Sequence, residues 1–255
     1  MHILQSIILG IVEGVTEFLP ISSTGHMVLA GHVLGITEDD FVKSFEIIIQ
    51  LGAILAVVLL YWKKILLNSK IFLRLCMAFV PTAVIGLVFY KMVKTYLLGN
   101  VLVVLWSLLL GGIFLIAFEW KRKGKTATTH ELEHISYKQA FIIGIFQSIA
   151  IIPGVSRSAA TIVGGLFLGI SREVIVEFSF MLAIPTMIAA TGLDLIKSGH
   201  SFSGNQYELL SIGFVTAFIS AVFAIKFLLN YVKKHTFTSF GIYRICLALI
   251  FFFVV

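Results

Sequence analysis

Charged residues are scarce in this chain of 255 residues: they make up 13% of it, beside 59% hydrophobic residues. Soluble domains carry about 25% charged residues, so an ordinary water-soluble domain is excluded. Cysteine is nearly absent. Cys76 and Cys246 each sit in apolar surroundings, which suggests neither a disulfide nor a thiolate metal site. No basic domain stands apart from the apolar runs. The net charge of +6 therefore fits cytoplasmic loops and anionic headgroups, and no nucleic-acid partner is expected. Residues 1–20 lack a basic n-region and hold two glutamates, so no cleavable signal peptide is expected.

What the chain has is a series of apolar runs near the length of a bilayer crossing. This pattern predicts an all-α polytopic membrane protein. Six crossings are expected, over Phe45–Tyr61, Phe72–Tyr90, Val101–Trp120, Val174–Ile196, Leu209–Leu229 and Phe240–Val255. The segments Met1–Ile36 and Ile135–Ile170 are each too short for two crossings. A limb of about 12 residues rises ~18 Å, just past mid-bilayer. Each segment reads as a re-entrant helix pair.

The rest of the chain is organised around EGVTEFLPISSTGH, from Glu13 to His26. Ionisable groups at membrane depth cost roughly 2.5–3.5 kcal/mol each on insertion, so three in one short stretch point to use. Glu13 and Glu17 share one helix face. Pro20 stops that helix. Ser22, Ser23 and Thr24 fall in the break, and His26 opens the next apolar run.

The pattern then restarts at an offset of 134. Gln5 falls on Gln139, Gly10 on Gly144, Ser22 on Ser156, and LGIT (Leu34–Thr37) on LGIS (Leu168–Ser171). The chain reads as one membrane domain over 1–255. It holds internal repeats at about 1–120 and 135–255, joined by the polar linker 121–134. Three crossings per half invert the second half relative to the first. Lys and Arg concentrate in the loops 62–74, 121–138 and 230–239, while the opposite loops hold Lys91, Lys94, Lys197 and a few others. The basic loops are expected in the cytoplasm. The two re-entrant tips then meet near the midplane, the first from outside and the second from inside.

The second hinge, PGVSRSAAT over Pro153–Thr161, has no carboxylate. Arg157 forks onto phosphate oxygens. Gly154, Ser156, Ser158 and Thr161 accompany it, and the N–H groups of a helix start add an anion nest. A structural reading stands beside this one, in which Arg157 snorkels to a headgroup or pairs with the first hinge.

EGVTEFLPISSTGH and PGVSRSAAT resemble the two signature stretches of the bacterial undecaprenyl pyrophosphate phosphatase family, also called bacitracin-resistance proteins. FEIIIQLGAILAV (Phe45–Val57) and LAIPTMIAATGLDL (Leu182–Leu195) extend the likeness over nearly the whole chain. The resemblance implies hydrolysis of undecaprenyl pyrophosphate to undecaprenyl phosphate and inorganic phosphate. This recycles the lipid carrier of cell-wall synthesis and confers bacitracin resistance. It also implies a divalent cation, Mg2+ or Ca2+, a place in the bacterial inner (plasma) membrane, and a pocket opening to the outer face.

Roles follow from chemistry. Arg157 binds the pyrophosphate and stabilises transition-state charge. Ser156, Ser158, Thr161 and Gly154 support that site; any of the hydroxyls also suits helix capping. Glu13 and Glu17 suit a hard cation, or one of them a base, or both a protonated structural pair. Three routes stay open at the first hinge: Ser23 attacks with His26 as its base, His26 itself attacks or protonates, or water attacks. Glu46, Gln50, Glu177 and Asp194 are expected to hydrogen-bond between helices, with Glu46 or Gln50 lining the pocket as the alternative, and His130 and His134 to be solvated. The glycine pairs 111–112 and 164–165 suit close helix approach, including that of a homodimer. Transport or flipping of an anionic prenyl phosphate lipid is the competing reading, because broken helices meeting at mid-membrane are typical of transporters.

Overall fold

The computed structural model describes residues 1–37, 39–97, 100–198 and 202–253, with the backbone alone for Lys94 and residues 194–198. Glu38 of the first surface turn, the side chains of Lys94, Asp194 and Lys197, and residues 254–255 of the last expected crossing lie outside this description.

Two short helices begin each half. α1 (Ile3–Thr16) and α2 (Ser23–Val33) flank the first hinge, and α6 (Tyr137–Ser148) and α7 (Arg157–Phe167) flank the second. Between these pairs run α3 (Asp40–Leu66), α4 (Ser69–Met92) and α5 (Val101–Arg122); after them come α8 (Arg172–Ser198), α9 (Gly204–Tyr231) and α10 (Thr238–Phe252). α3, α4, α5, α8 and α9 are long and apolar enough to cross a membrane. The protein is thus an all-α polytopic membrane protein. The sixth expected crossing is the shortest, in the sequence pattern and in the structure alike. α10 has 15 residues, which rise ~22 Å against a hydrocarbon core of about 30 Å.

The two halves begin with the same local chemistry. His2 caps α1 with Gln5 in a reciprocal box, and Ser136 caps α6 with Gln139 in the same way. Each glutamine then ties its own pair closed. Gln5 Nε2 donates to the Leu34 carbonyl at 3.1 Å, and Gln139 Nε2 donates to the Leu168 carbonyl at 3.2 Å. The residues after those leucines, Gly35 and Gly169, both have positive φ, +61° and +81°.

Packing follows a crossed pattern. α1 lies along α9, α6 lies along α4, α3 meets α8, and α5 pairs with α10. The two hinges are thereby enclosed. Phe18 of the first hinge is fully buried against Phe180 of α8, edge to face at 5.3 Å. Both glycine pairs are used within the chain. Gly111 and Gly112 face Arg244, Gly241 and Ile245 of α10, while Gly164 and Gly165 face Phe146 and Ile175. A homodimer would need another face.

The α4–α6 contact depends on Gly144, where a Cβ would strike the Ala78 carbonyl oxygen. An alanine in a helix ordinarily gains up to about 1 kcal/mol over glycine. Here the clash is with backbone, which cannot rotate away, and overpacking costs about 1–3 kcal/mol. Gly144→Ala is therefore expected to lower the melting temperature of the protein in detergent. An unchanged or higher value would show that α4 and α6 do not pack this closely.

Candidate active site

The first hinge is built by a stop and a restart. α1 ends at Thr16, and Glu17 is its C-cap, with its N–H on the Glu13 carbonyl. After the turn through Pro20, Ser22 becomes the N-cap of α2; its Oγ accepts the Gly25 N–H at 3.3 Å. Ser22 has φ +73°, the only positive value at a non-glycine among the described residues. Backbone held in such a region has to be fixed by its surroundings. The fixing group is His26, whose Nδ1 meets the Ser22 carbonyl oxygen at 2.7 Å. Its Nε2 meets the Tyr243 hydroxyl at 2.8 Å. A carbonyl only accepts, so Nδ1 carries the proton. In the neutral ring, Nε2 then accepts from Tyr243.

These contacts revise one expectation. His26 does not pair with Ser23, because both of its ring nitrogens are taken elsewhere. Ser23 Oγ instead donates to Glu17 Oε2 at 2.5 Å. The other Glu17 oxygen accepts from Arg157, at 3.3 Å from Nε and 3.2 Å from Nη2. Serine, carboxylate and guanidinium form one buried chain across the two hinges, all three less than 10% exposed. Arg157 is thus both partner to the first hinge and wall of a cavity. Its Nη1 donates to the Ser179 carbonyl at 2.9 Å. That leaves one N–H on each Nη group for a ligand.

The second hinge carries Arg157 at the first position of α7. Gly154 turns the chain with φ +86°, a conformation glycine adopts without Cβ strain. Ser156 caps α7 by accepting the Ala159 N–H at 3.2 Å. The other expected ligands stand behind the site. Ser158 Oγ donates to the Leu19 carbonyl at 2.8 Å and so joins the two hinges. Thr161 Oγ1 bonds Ser179 Oγ at 2.6 Å, next to the carbonyl that orients Arg157. Gly154 offers a carbonyl to Arg244. Sequence reasoning missed Tyr243, Arg244 and Ser179. Tyr243 and Arg244 lie in an apolar helix near the chain end, where the only available signal was an arginine among apolar residues.

Ser23, Glu17, Ser156 and Arg157 line a cavity of about 120 Å3, with Ser22 and Thr24. α2 and α7 both begin at its wall, so two helix N-termini turn their positive ends toward it. Next to it lies a larger cavity of about 570 Å3, walled mainly by apolar residues of α4 and α8. Gln50, Ala150, Arg157 and Met187 belong to both. Gln50 is therefore a pocket residue. Glu177, by contrast, pairs with Lys64 of α3 at 2.7 Å and is structural. His130 and His134 are exposed in the linker.

Glu13 sits one turn before Glu17, fully buried, and its oxygens meet no donor group of the protein, only the neighbouring Glu17 carboxyl. Glu17, Glu46 and Arg157 are close enough to act on it electrostatically. Two neighbouring buried carboxyls are held together by a shared proton or by a cation.

Tyr243→Phe removes one hydrogen bond from His26 and nothing else. One bond of about 1–1.5 kcal/mol corresponds to roughly a tenfold change in rate. Turnover is expected to fall by about that factor, with the fold intact, in steady-state kinetics. A rate equal to that of the unsubstituted protein would show that the His26 contact does not reach the reacting groups.

Comparison with known proteins finds similarity along nearly the whole chain. A family model described as "Bacitracin resistance protein BacA" matches residues 6–250. The undecaprenyl-diphosphatase of Aquifex aeolicus is 53% identical over 97% of this chain and 96% of its own length. That of Sulfurihydrogenibium sp. is 50% identical over 99% of both chains, and that of Wolinella succinogenes 50% over 99% and 98%. The match takes in both hinges, and the chain belongs to the BacA bacitracin resistance family.

Proposed function

We propose that this protein is an integral membrane phosphatase that hydrolyses undecaprenyl pyrophosphate to undecaprenyl phosphate and inorganic phosphate. The observation that carries the reading is the paired cavity. A small polar chamber with a serine–carboxylate–guanidinium chain adjoins a larger apolar one, with Arg157 in the wall of both. A pyrophosphate on a prenyl tail has that same division. The head is held by Arg157 and the starts of α2 and α7, and the head-proximal tail lies in the apolar chamber.

Ser23 Oγ attacks the terminal phosphorus while its proton passes to Glu17. The bond from that phosphorus to the bridging oxygen breaks, and the electron pair leaves with undecaprenyl phosphate. Arg157 stabilises the charge on the transferring group. Glu17 passes that proton to the departing phosphate oxygen and is a base again. Water then gives its proton to Glu17 and attacks the phosphoserine. The Ser23 oxygen leaves the phosphorus and takes that proton back from Glu17 as phosphate is released. His26 holds the turn that presents Ser23.

A divalent cation would be held by Glu13, whose buried oxygens accept from no donor group of the protein, with Glu17 beside it, since hard oxygen ligands suit Mg2+ or Ca2+. Among the described residues no group of three or more His, Cys, Asp or Glu is poised for a metal. Phosphate oxygens and water would complete the shell, and the ion would offset the charge of the pyrophosphate.

The two halves form an inverted repeat in this reading, supported by the matched caps, ties and crossed packing. The membrane is the bacterial plasma membrane. The apolar chamber reaches toward the ends of α4 and α8, at Val93 and Leu193. With the basic loops in the cytoplasm, that end is the outer face. The product re-enters cell-wall synthesis as the carrier lipid, and bacitracin resistance follows from its supply.

Purified protein in detergent is the test. It should release one phosphate per undecaprenyl pyrophosphate, in a single compartment. Absence of phosphate release, together with movement of prenyl phosphate between the leaflets of reconstituted vesicles, would replace the phosphatase by a transporter.

A further inference from the structure

Arg244 is a fully buried arginine near the middle of α10, 1% exposed. No carboxylate pairs with it among the described residues. Every hydrogen bond it makes ends on a backbone carbonyl. Nη2 donates to Ser107 at 2.9 Å and Gly154 at 3.2 Å, Nε to Leu108 at 3.4 Å, and Nη1 to Pro20 at 3.5 Å. Two of these carbonyls are on α5. The other two are on the hinges, one on each.

Physical chemistry explains why such a residue stands there. A helix broken at membrane depth leaves carbonyls without their helical N–H partners, and lipid offers no water to replace them. An arginine presents five donors in a fixed fork, which a lysine cannot reproduce. One guanidinium can therefore serve both breaks. The two attachment points are also equivalent in sequence. Pro20 lies three residues before Ser23, and Gly154 three residues before Arg157.

We infer that Arg244 is a positioning residue for the phosphoryl transfer, tying the Pro20 and Gly154 carbonyls to α5 and so fixing the nucleophile's hinge against the anion-binding hinge. The inference rests on the phosphatase reading of the site. Arg244 acts through the backbone of both hinges and does not touch the substrate. Direct contact between the hinges, from Ser158 to Leu19, keeps them together without it. Losing Arg244 therefore shifts their register and leaves them associated.

Two variants test this in complementary ways. Arg244→Lys keeps the charge and loses the fork. Gly111→Ala keeps Arg244 and pushes on it, since a Cβ at Gly111 would strike Nη2 and lie 3.3 Å from Nη1. Both are purified in detergent, and the monodisperse fraction is assayed with undecaprenyl pyrophosphate beside the unsubstituted protein. The expected result is a 10- to 100-fold lower kcat per folded molecule in both variants, with KM within about threefold, because misalignment of reacting atoms acts on the transition state. A merely structural arginine would lower yield and melting temperature and leave kcat untouched. That result in either folded variant overturns the inference. If Arg244→Lys does not fold, Gly111→Ala decides on the same terms. No phosphate release by the unsubstituted protein would instead refute the phosphatase reading itself.

Discussion

Ser23→Ala is expected to lower turnover by at least ~10⁴-fold, a loss typical of removing a nucleophile. The fold should survive, because the capping of α2 rests on Ser22, not on Ser23. Only the hydroxyl that donates to Glu17 at 2.5 Å is removed. Glu17 keeps its pairing with Arg157, so binding of a non-hydrolysable prenyl pyrophosphate should change little. The residual rate would come from water attacking a positioned and charge-stabilised phosphate. Activity within a factor of ten of the unsubstituted protein would remove Ser23 from the nucleophile's place. His26→Ala should behave differently. It frees the Ser22 carbonyl and relaxes the turn, and a smaller loss of about 10- to 100-fold is expected, since the chemistry survives in a looser geometry.

Arg157→Lys is the second large effect. Arginine at a phosphoryl-transfer site contributes about 10³–10⁵ in kcat. Arg157 has three tasks that a lysine cannot combine. It forks onto one Glu17 oxygen through Nε and Nη2, holds the Ser179 carbonyl through Nη1, and keeps two donors for the ligand. A lysine head retains the charge, but its three donors leave from one point. The lost fork also leaves the buried Glu17 carboxylate less well paired, which costs free energy and loosens the chain from Ser23 through Glu17 to residue 157. A fall in kcat of about 10³-fold with a raised KM is therefore expected in steady-state kinetics. Near-normal turnover would reduce Arg157 to an ion pair that holds the hinges together.

Much of this site could be read in the sequence because membrane insertion penalises the groups it needs. Glu13, Glu17, His26 and Arg157 stand out against apolar runs for that reason, and Pro20 and Gly154 mark the breaks that expose them. The pairing between them could not be read. Ser23 reaches Glu17 across a turn whose shape is set by the positive φ of Ser22, and a serine gives no sign of that conformation. The i,i+3 spacing of Ser23 and His26 favoured the wrong partner. Spacing reports which side chains share a helix face, but α2 starts at Ser23, and His26 turns to the carbonyl before it.

α10 shows the opposite error. Arg244 carries the same insertion penalty as Arg157, yet Tyr243 and Ile245 flank it where serines flank Arg157, and it passed as part of a crossing. Its role depends on carbonyls contributed by Pro20, Ser107, Leu108 and Gly154, which no local pattern brings together. The glycine pairs were correctly seen as places of close approach. Their partners within the chain were settled by tertiary packing alone.

Rapid quenching tests the central claim most directly. Undecaprenyl pyrophosphate labelled in its terminal phosphate is mixed with excess protein, stopped in acid within the first turnover, and the label is located by peptide mapping. Acid-stable label on Ser23, rising before free phosphate and then decaying into it, is the predicted result. Label on His26, or phosphate that takes up solvent oxygen in a single turnover with no protein-bound label at any time, would contradict it.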